Sequence, residues 1–136
     1  MIPPLVRASV YMFFGVTGEV TFTAFKALLL KKDLRLEGYT QVWTYPMYAL
    51  GGLFLFEPLH LALISYSIVL RFIAYGLLVI ALEFIVGSLL KRIIGECPWE
   101  YKGKWNIGGY VSLPLIPFWG ILGLLGELLH NYLLSL

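Results

Sequence analysis

Three glutamates stand inside long apolar runs of this chain: Glu19, Glu83 and Glu127. A carboxylate in such a place is held against a steep desolvation cost. It persists where it binds a cation, moves a proton or ties helices together. Two Glu-x-x-His pairs accompany them, Glu57 with His60 and Glu127 with His130. With Glu19 and Glu83 as lone acids, this matches the ligand inventory of a di-iron four-helix bundle. Such a centre needs all six ligands in one layer. Glu57 and His60 fall near the outer end of their segment with Pro58 between them, and Glu83 falls toward the opposite end. A di-metal or lipid-acting intramembrane enzyme is therefore the weaker alternative, and boundary positions suit the two histidines.

Cys97 is alone, so no intramolecular disulfide forms, and with Pro98 and Trp99 beside it and no neighbouring histidine it reads as a packed thiol. No P-loop, dinucleotide glycine pattern, zincin helix or nucleophile elbow is present. No cofactor is implied, and nothing here hydrolyses a nucleotide or contacts nucleic acid.

The elements that carry these acids follow from composition. Hydrophobic residues make up 60% of the 136 and charged residues 13%, whereas soluble domains hold about 45–50% and about 25%. Crossing ~30 Å of hydrocarbon takes ~20 apolar residues. Four stretches qualify, at about 6–30, 41–64, 65–90 and 117–136, within a single membrane domain over 1–136. The second is interrupted by Pro46, Gly51-Gly52 and Pro58; the last starts at Pro117, since proline suits a first helical turn. Helices are the form that satisfies backbone groups in lipid. The expected fold is an all-α integral membrane protein of four transmembrane helices, with an aromatic, glycine-containing interfacial loop before the last. The first stretch has Arg7 ahead of it and Glu19 within it, which reads as a mature helix and not as a leader.

Eight of the ten basic residues lie in or beside the first and third connections, so loops 31–37 and 91–104 are expected in the cytoplasm and both termini outside. Trp43, Trp99 and Trp105 fall at that same boundary. Counted from the cytoplasmic helix ends at ~1.5 Å per residue, Glu19 and Glu127 lie about 15–17 Å deep and Glu83 about 10 Å, close to one level. Glycines share their faces: Gly15 and Gly18 near Glu19, Gly76 and Gly87 with Glu83, Gly120 and Gly123 with Glu127. Small residues let helices approach closely.

A resemblance emerges from several runs in order. They are Gly38-Tyr39-Thr40 through Trp43, Pro46-Met47-Tyr48, Glu83-Phe84 through Gly87, Cys97-Pro98-Trp99-Glu100-Tyr101, Trp105-Asn106 through Gly109, and Pro117-Phe118-Trp119 through Gly123. Together the chain resembles the transmembrane protein 229 family, related to a bacterial group labelled putative ABC-transporter type IV, or CmpB-like. The resemblance implies a multi-pass membrane protein and marks Glu19, Glu57, Glu83, Trp99, Glu100, Tyr101, Asn106, Gly109, Trp119 and Glu127. Glu100 stands where the pattern usually has Asp.

The loop from Glu96 to Tyr110 mixes Trp99, Tyr101, Trp105 and Tyr110 with Lys102 and Lys104, the chemistry of a segment at an anionic headgroup surface. It either anchors there or caps an acidic cavity and recognises a ligand through Asn106, Glu100 and its aromatic rings. Two function classes stay open. In one, Glu19, Glu83 and Glu127 line a site that binds or conducts a small cation, proton, amine solute or lipid. In the other, the chain is an accessory subunit whose acids and glycines specify assembly. Four helices enclose little space, so a homo-oligomer or a partner membrane protein is expected in the bilayer.

Overall fold

A computed structural model describes all residues, 1–136. Helix α1 spans Pro4–Lys31 and opens on a proline whose missing N–H falls where no helical partner exists. It stops at Lys32, which turns left-handed at φ 50 and returns its N–H to Ala27 O. The second span runs Thr44–Leu63 as α2 (Thr44–Gly51), a π-helical turn (Gly52–Phe56) and α3 (Glu57–Leu63). Helix α4 spans Ile68–Ile94, with the Ser67 hydroxyl accepting from Leu70 N–H at its start. Gly95 ends it at φ 88, a conformation glycine takes without steric cost. A hairpin of β1 (Asn106–Ile107) and β2 (Val111–Ser112) follows, then a 3₁₀ turn and α5 (Ile116–Ser135).

Four helices are long and apolar enough to cross a membrane, and sheet is confined to that hairpin. Only 23 of 136 residues are buried within the chain, so most leucine, isoleucine and phenylalanine side chains point outward. That surface requires lipid. Cohesion between the helices comes from close approach at glycine. A Cβ on Gly120 would meet the Phe72 backbone at 2.8 Å, and one on Gly76 the Ile116 backbone at 2.7 Å, so α4 and α5 touch main chain to main chain.

The third connection packs against the helices. It folds back along α4, where Cys97, Trp99 and Tyr110 pack over Gly87. Trp99 Nε1 donates to Tyr110 O at 3.1 Å, and Gln41 Nε2 donates to Pro98 O at 3.0 Å. The latter ties the first connection to the third, so both basic loops sit at one end of the bundle.

Candidate functional site

Two polar layers form inside the bundle. The first lies near the start of α4. Arg7 grips Glu57 with two hydrogen bonds, 2.7 and 3.1 Å, and the Tyr11 hydroxyl donates to Glu57 Oε1 at 2.8 Å. Tyr11 OH lies 2.6 Å from His130 Nδ1. Opposite, Arg71 Nε donates to Glu127 Oε2 at 2.8 Å, the Tyr75 hydroxyl at 2.5 Å and His60 Nδ1 at 3.0 Å. The two imidazoles meet with ring centroids 5.1 Å apart. Each carboxylate is neutralised by its own arginine, so this layer holds helices together without net charge.

These two quartets are copies. Arg7, Tyr11 and Glu19 form Arg-x3-Tyr-x7-Glu, which recurs as Arg71, Tyr75 and Glu83; Gly38-Tyr39-x6-Pro46-x5-Gly52 recurs as Gly109-Tyr110-x6-Pro117-x5-Gly123. Glu57-x-x-His60 recurs as Glu127-x-x-His130. Even the second guanidinium contact repeats, since Arg7 Nη1 donates to Ile2 O and Arg71 Nη1 to Tyr66 O. The chain is thus two tandem helical pairs, each quartet completed by the other pair's histidine. Two spans per copy give parallel repeats, related by an axis along the membrane normal.

The second layer holds Glu19 and Glu83, the same position in the two copies, each within the other's electrostatic reach. Thr40 and Tyr48 face Glu19. The Tyr101 hydroxyl donates to Glu83 Oε1 at 3.1 Å. Burial first, and the Glu83 charge second, push the Tyr101 hydroxyl far above its ordinary value, which keeps it a donor. Glu83 Oε2 and Trp119 Nε1 are buried without a partner, and Glu19 Oε2 and Tyr48 OH, though within each other's reach, make no well-formed hydrogen bond. A cavity of about 440 Å³ opens beside them, lined by Glu19, Trp99, Glu100, Tyr101 and Trp119 among others. Between the two layers lies a smaller apolar cavity of about 80 Å³, bordered by Tyr11, Tyr75, Tyr48 and five glycines.

Several expectations change. Glu127 does not join Glu19 and Glu83. It pairs with Arg71 and Tyr75, which precede Glu83 by eight to twelve residues on α4, about 12–18 Å along the axis. The common-level count fails because α5 starts at Ile116 beside Gly76, 18 residues short of the Ile94 end of α4, so the two helices do not begin from one plane, and Arg71 holds the carboxylate near the start of α4. Asn106 is spent on the hairpin: its Oδ1 accepts from Gly109 N–H at 2.9 Å and its amide donates to Gly103 O. His60 and His130 turn into the bundle interior, 2% and 3% exposed. The Glu-x-x-His pairs do converge, with arginines on the carboxylates in place of a shared centre.

Trp99, Glu100 and Tyr101 do reach the layer of Glu19 and Glu83. Cys97 packs on Gly87, and burial raises its thiol, as suits an inert cysteine. Sequence reasoning missed Arg7, Tyr11, Tyr48, Arg71 and Tyr75. The recurrence of Arg-x3-Tyr-x7-Glu was the signal that would have found four of them.

The profile of a family described as "Putative ABC-transporter type IV" matches residues 8–135. No solved structure matches the chain.

Proposed function

We propose, the chain belonging to the Putative ABC-transporter type IV family, that this membrane protein binds a small amine-bearing cation between Glu19 and Glu83. The observation that carries this reading is the cluster of buried polar atoms left without hydrogen bonds in this layer, of which Glu19 Oε2 and Trp119 Nε1 belong to residues that line the larger cavity. Buried polar groups are almost always hydrogen-bonded, so a cluster of orphans marks a place for a ligand. Two are carboxylate oxygens that accept from an ammonium; two are donors that suit a hydroxyl. An amino alcohol offers both. The loop of Trp99, Glu100 and Tyr101 forms one wall, and its glycines Gly103, Gly108 and Gly109, all at positive φ, give it hinges.

The two copies are not equivalent here, which supports one ligand per chain. Tyr48 and Thr40 of the first copy correspond to Trp119 and Val111 in the second, and the second copy alone carries the Cys97–Tyr101 insertion. Tyr101 therefore covers Glu83 while Glu19 faces the cavity. Titration calorimetry of the purified protein with ethanolamine tests the proposal. Glu19→Gln and Glu83→Gln should each weaken binding at least tenfold, about 1.4 kcal/mol, with melting unchanged. Parent protein that takes up no ethanolamine, or variants that bind as the parent does, would sink it.

The outer layer favours the accessory reading for its own acids: Glu57 and Glu127 are saturated by neighbours and serve assembly. Membership of the transmembrane protein 229 group, and pairing with a second copy or partner subunit, belong to the same proposal. So does orientation, with loops 31–37 and 91–104 in the cytoplasm and both termini outside. A cysteine introduced at Ile2 or Ser135, in a Cys97→Ser background, should react with an impermeant thiol reagent in intact cells. Labelling only after permeabilisation would reverse the topology.

A further inference from the structure

Resting on that amine site, we propose that its ligand is a zwitterion whose anionic end is held by Lys26 and Lys31. Both lysines line the same cavity as Glu19, and neither takes part in any ion pair or side-chain hydrogen bond. Glu19 and Lys26 are seven residues apart, two turns along one face of α1, or about 10 Å. Lys31 stands more than a turn beyond. The cavity is thus electrically polar: a buried carboxylate oxygen on one side, two exposed and unpaired ammonium groups on the other. Trp99 and Trp119 form aromatic walls between them, and rings of this kind attract a passing cation. Trp119 is 1% exposed with its Nε1 unpartnered, so the wall presents a donor as well.

Polarity selects the ligand's source. A phospholipid entering from the loop side carries its phosphate toward the hydrocarbon and its amine toward water, the reverse of this arrangement. A soluble phosphorylated or carboxylated amine entering amine first matches it. Glu100, unpaired on the loop wall of the same cavity, repels an anion there and confines the anionic end to the α1 side. Long flexible stems let the lysine ammonium groups reach an anion at varied depth.

The test titrates the full chain, purified in phospholipid-free micelles, with ethanolamine, O-phosphoethanolamine and inorganic phosphate. O-phosphoethanolamine should bind at least tenfold tighter than ethanolamine. In Lys26→Ala/Lys31→Ala, whose side chains are exposed and outside the packed interior, that ratio should fall to about one. Equal affinity of the two amines in the parent protein, or a ratio that survives loss of both lysines, overturns the zwitterion while the amine site stands. Parent protein that binds neither amine defeats both readings. Phosphatidylethanolamine that binds in nanodiscs while the free headgroup does not would overturn the soluble ligand.

Discussion

Replacing Glu127 with leucine lowers the unfolding free energy by about 3 kcal/mol. Breaking a buried ion pair by removing one partner costs roughly 3–5 kcal/mol, because the other charge stays desolvated. The lower end applies here, since Arg71 keeps 20% of its side chain exposed. Tyr75 and His60 lose their acceptor as well. Glutamine should fall between, because an amide still accepts a hydrogen bond but leaves the guanidinium uncompensated. Replacing both members, as Arg71→Leu/Glu127→Leu, should recover the loss to within about 1 kcal/mol, as apolar substitutes for buried pairs commonly do. The copy predicts the same numbers for Glu57→Leu and for Arg7→Leu/Glu57→Leu. Denaturant unfolding in mixed micelles reads all six proteins. Glutamine at Glu127 behaving as the parent would mean a neutral acid that only hydrogen-bonds. A double variant as unstable as Glu127→Leu would mean the guanidinium matters for something besides charge balance.

That network shows where sequence reasoning reached and where it stopped. Four apolar runs of spanning length carry their own answer, because lipid imposes helix on any such run, and the glycines at Gly76 and Gly120 mark the close α4–α5 contact without coordinates. Depth was a different matter. Counting from helix ends assumes that helices run parallel from a common plane, and α4, at 27 residues, outruns ~30 Å of hydrocarbon by about 10 Å. The acids then sort by which cation or hydroxyl each can reach: Glu127 goes to Arg71 and Tyr75, Glu83 to Tyr101. Arg7 and Arg71 were legible as charges on one side of the membrane; their inward reach was not, because sidedness says nothing of where a long side chain turns. The loop of Trp99 and Tyr101 has an interfacial composition, yet it packs on Gly87 because a glycine there leaves room for three side chains.

The duplication supplies a second large expectation, at the place where a span of one copy is longer than its counterpart. Deleting Leu55 should cost about 3 kcal/mol, and adding Pro58→Leu should restore most of it. Gly52-x4-Glu57 in the first copy answers to Gly123-x3-Glu127 in the second, so the second span carries one extra residue. It is absorbed in the π turn, where Glu57 N–H bonds Gly52 O five residues back. Pro58 explains the widening. Proline inside an α-helix has no N–H to give and presses its ring on the carbonyl four residues earlier, a penalty of ~3 kcal/mol or more. A π turn just ahead of it opens the helix and relieves that clash. The second copy has Leu128 at this position and continues as ordinary helix. Removing Leu55, which faces outward, forces α-helical spacing onto Pro58; substituting leucine removes the conflict. Because Gly123-x3-Glu127 already places its acid against Arg71 with that spacing, the shortened span should still place Glu57 against Arg7. A further Arg7→Leu in the repaired protein should therefore still cost about 3 kcal/mol. A shortened chain that stays unstable with leucine at 58, or in which Arg7→Leu costs nothing, would show that the extra residue is what aims Glu57 at its partner.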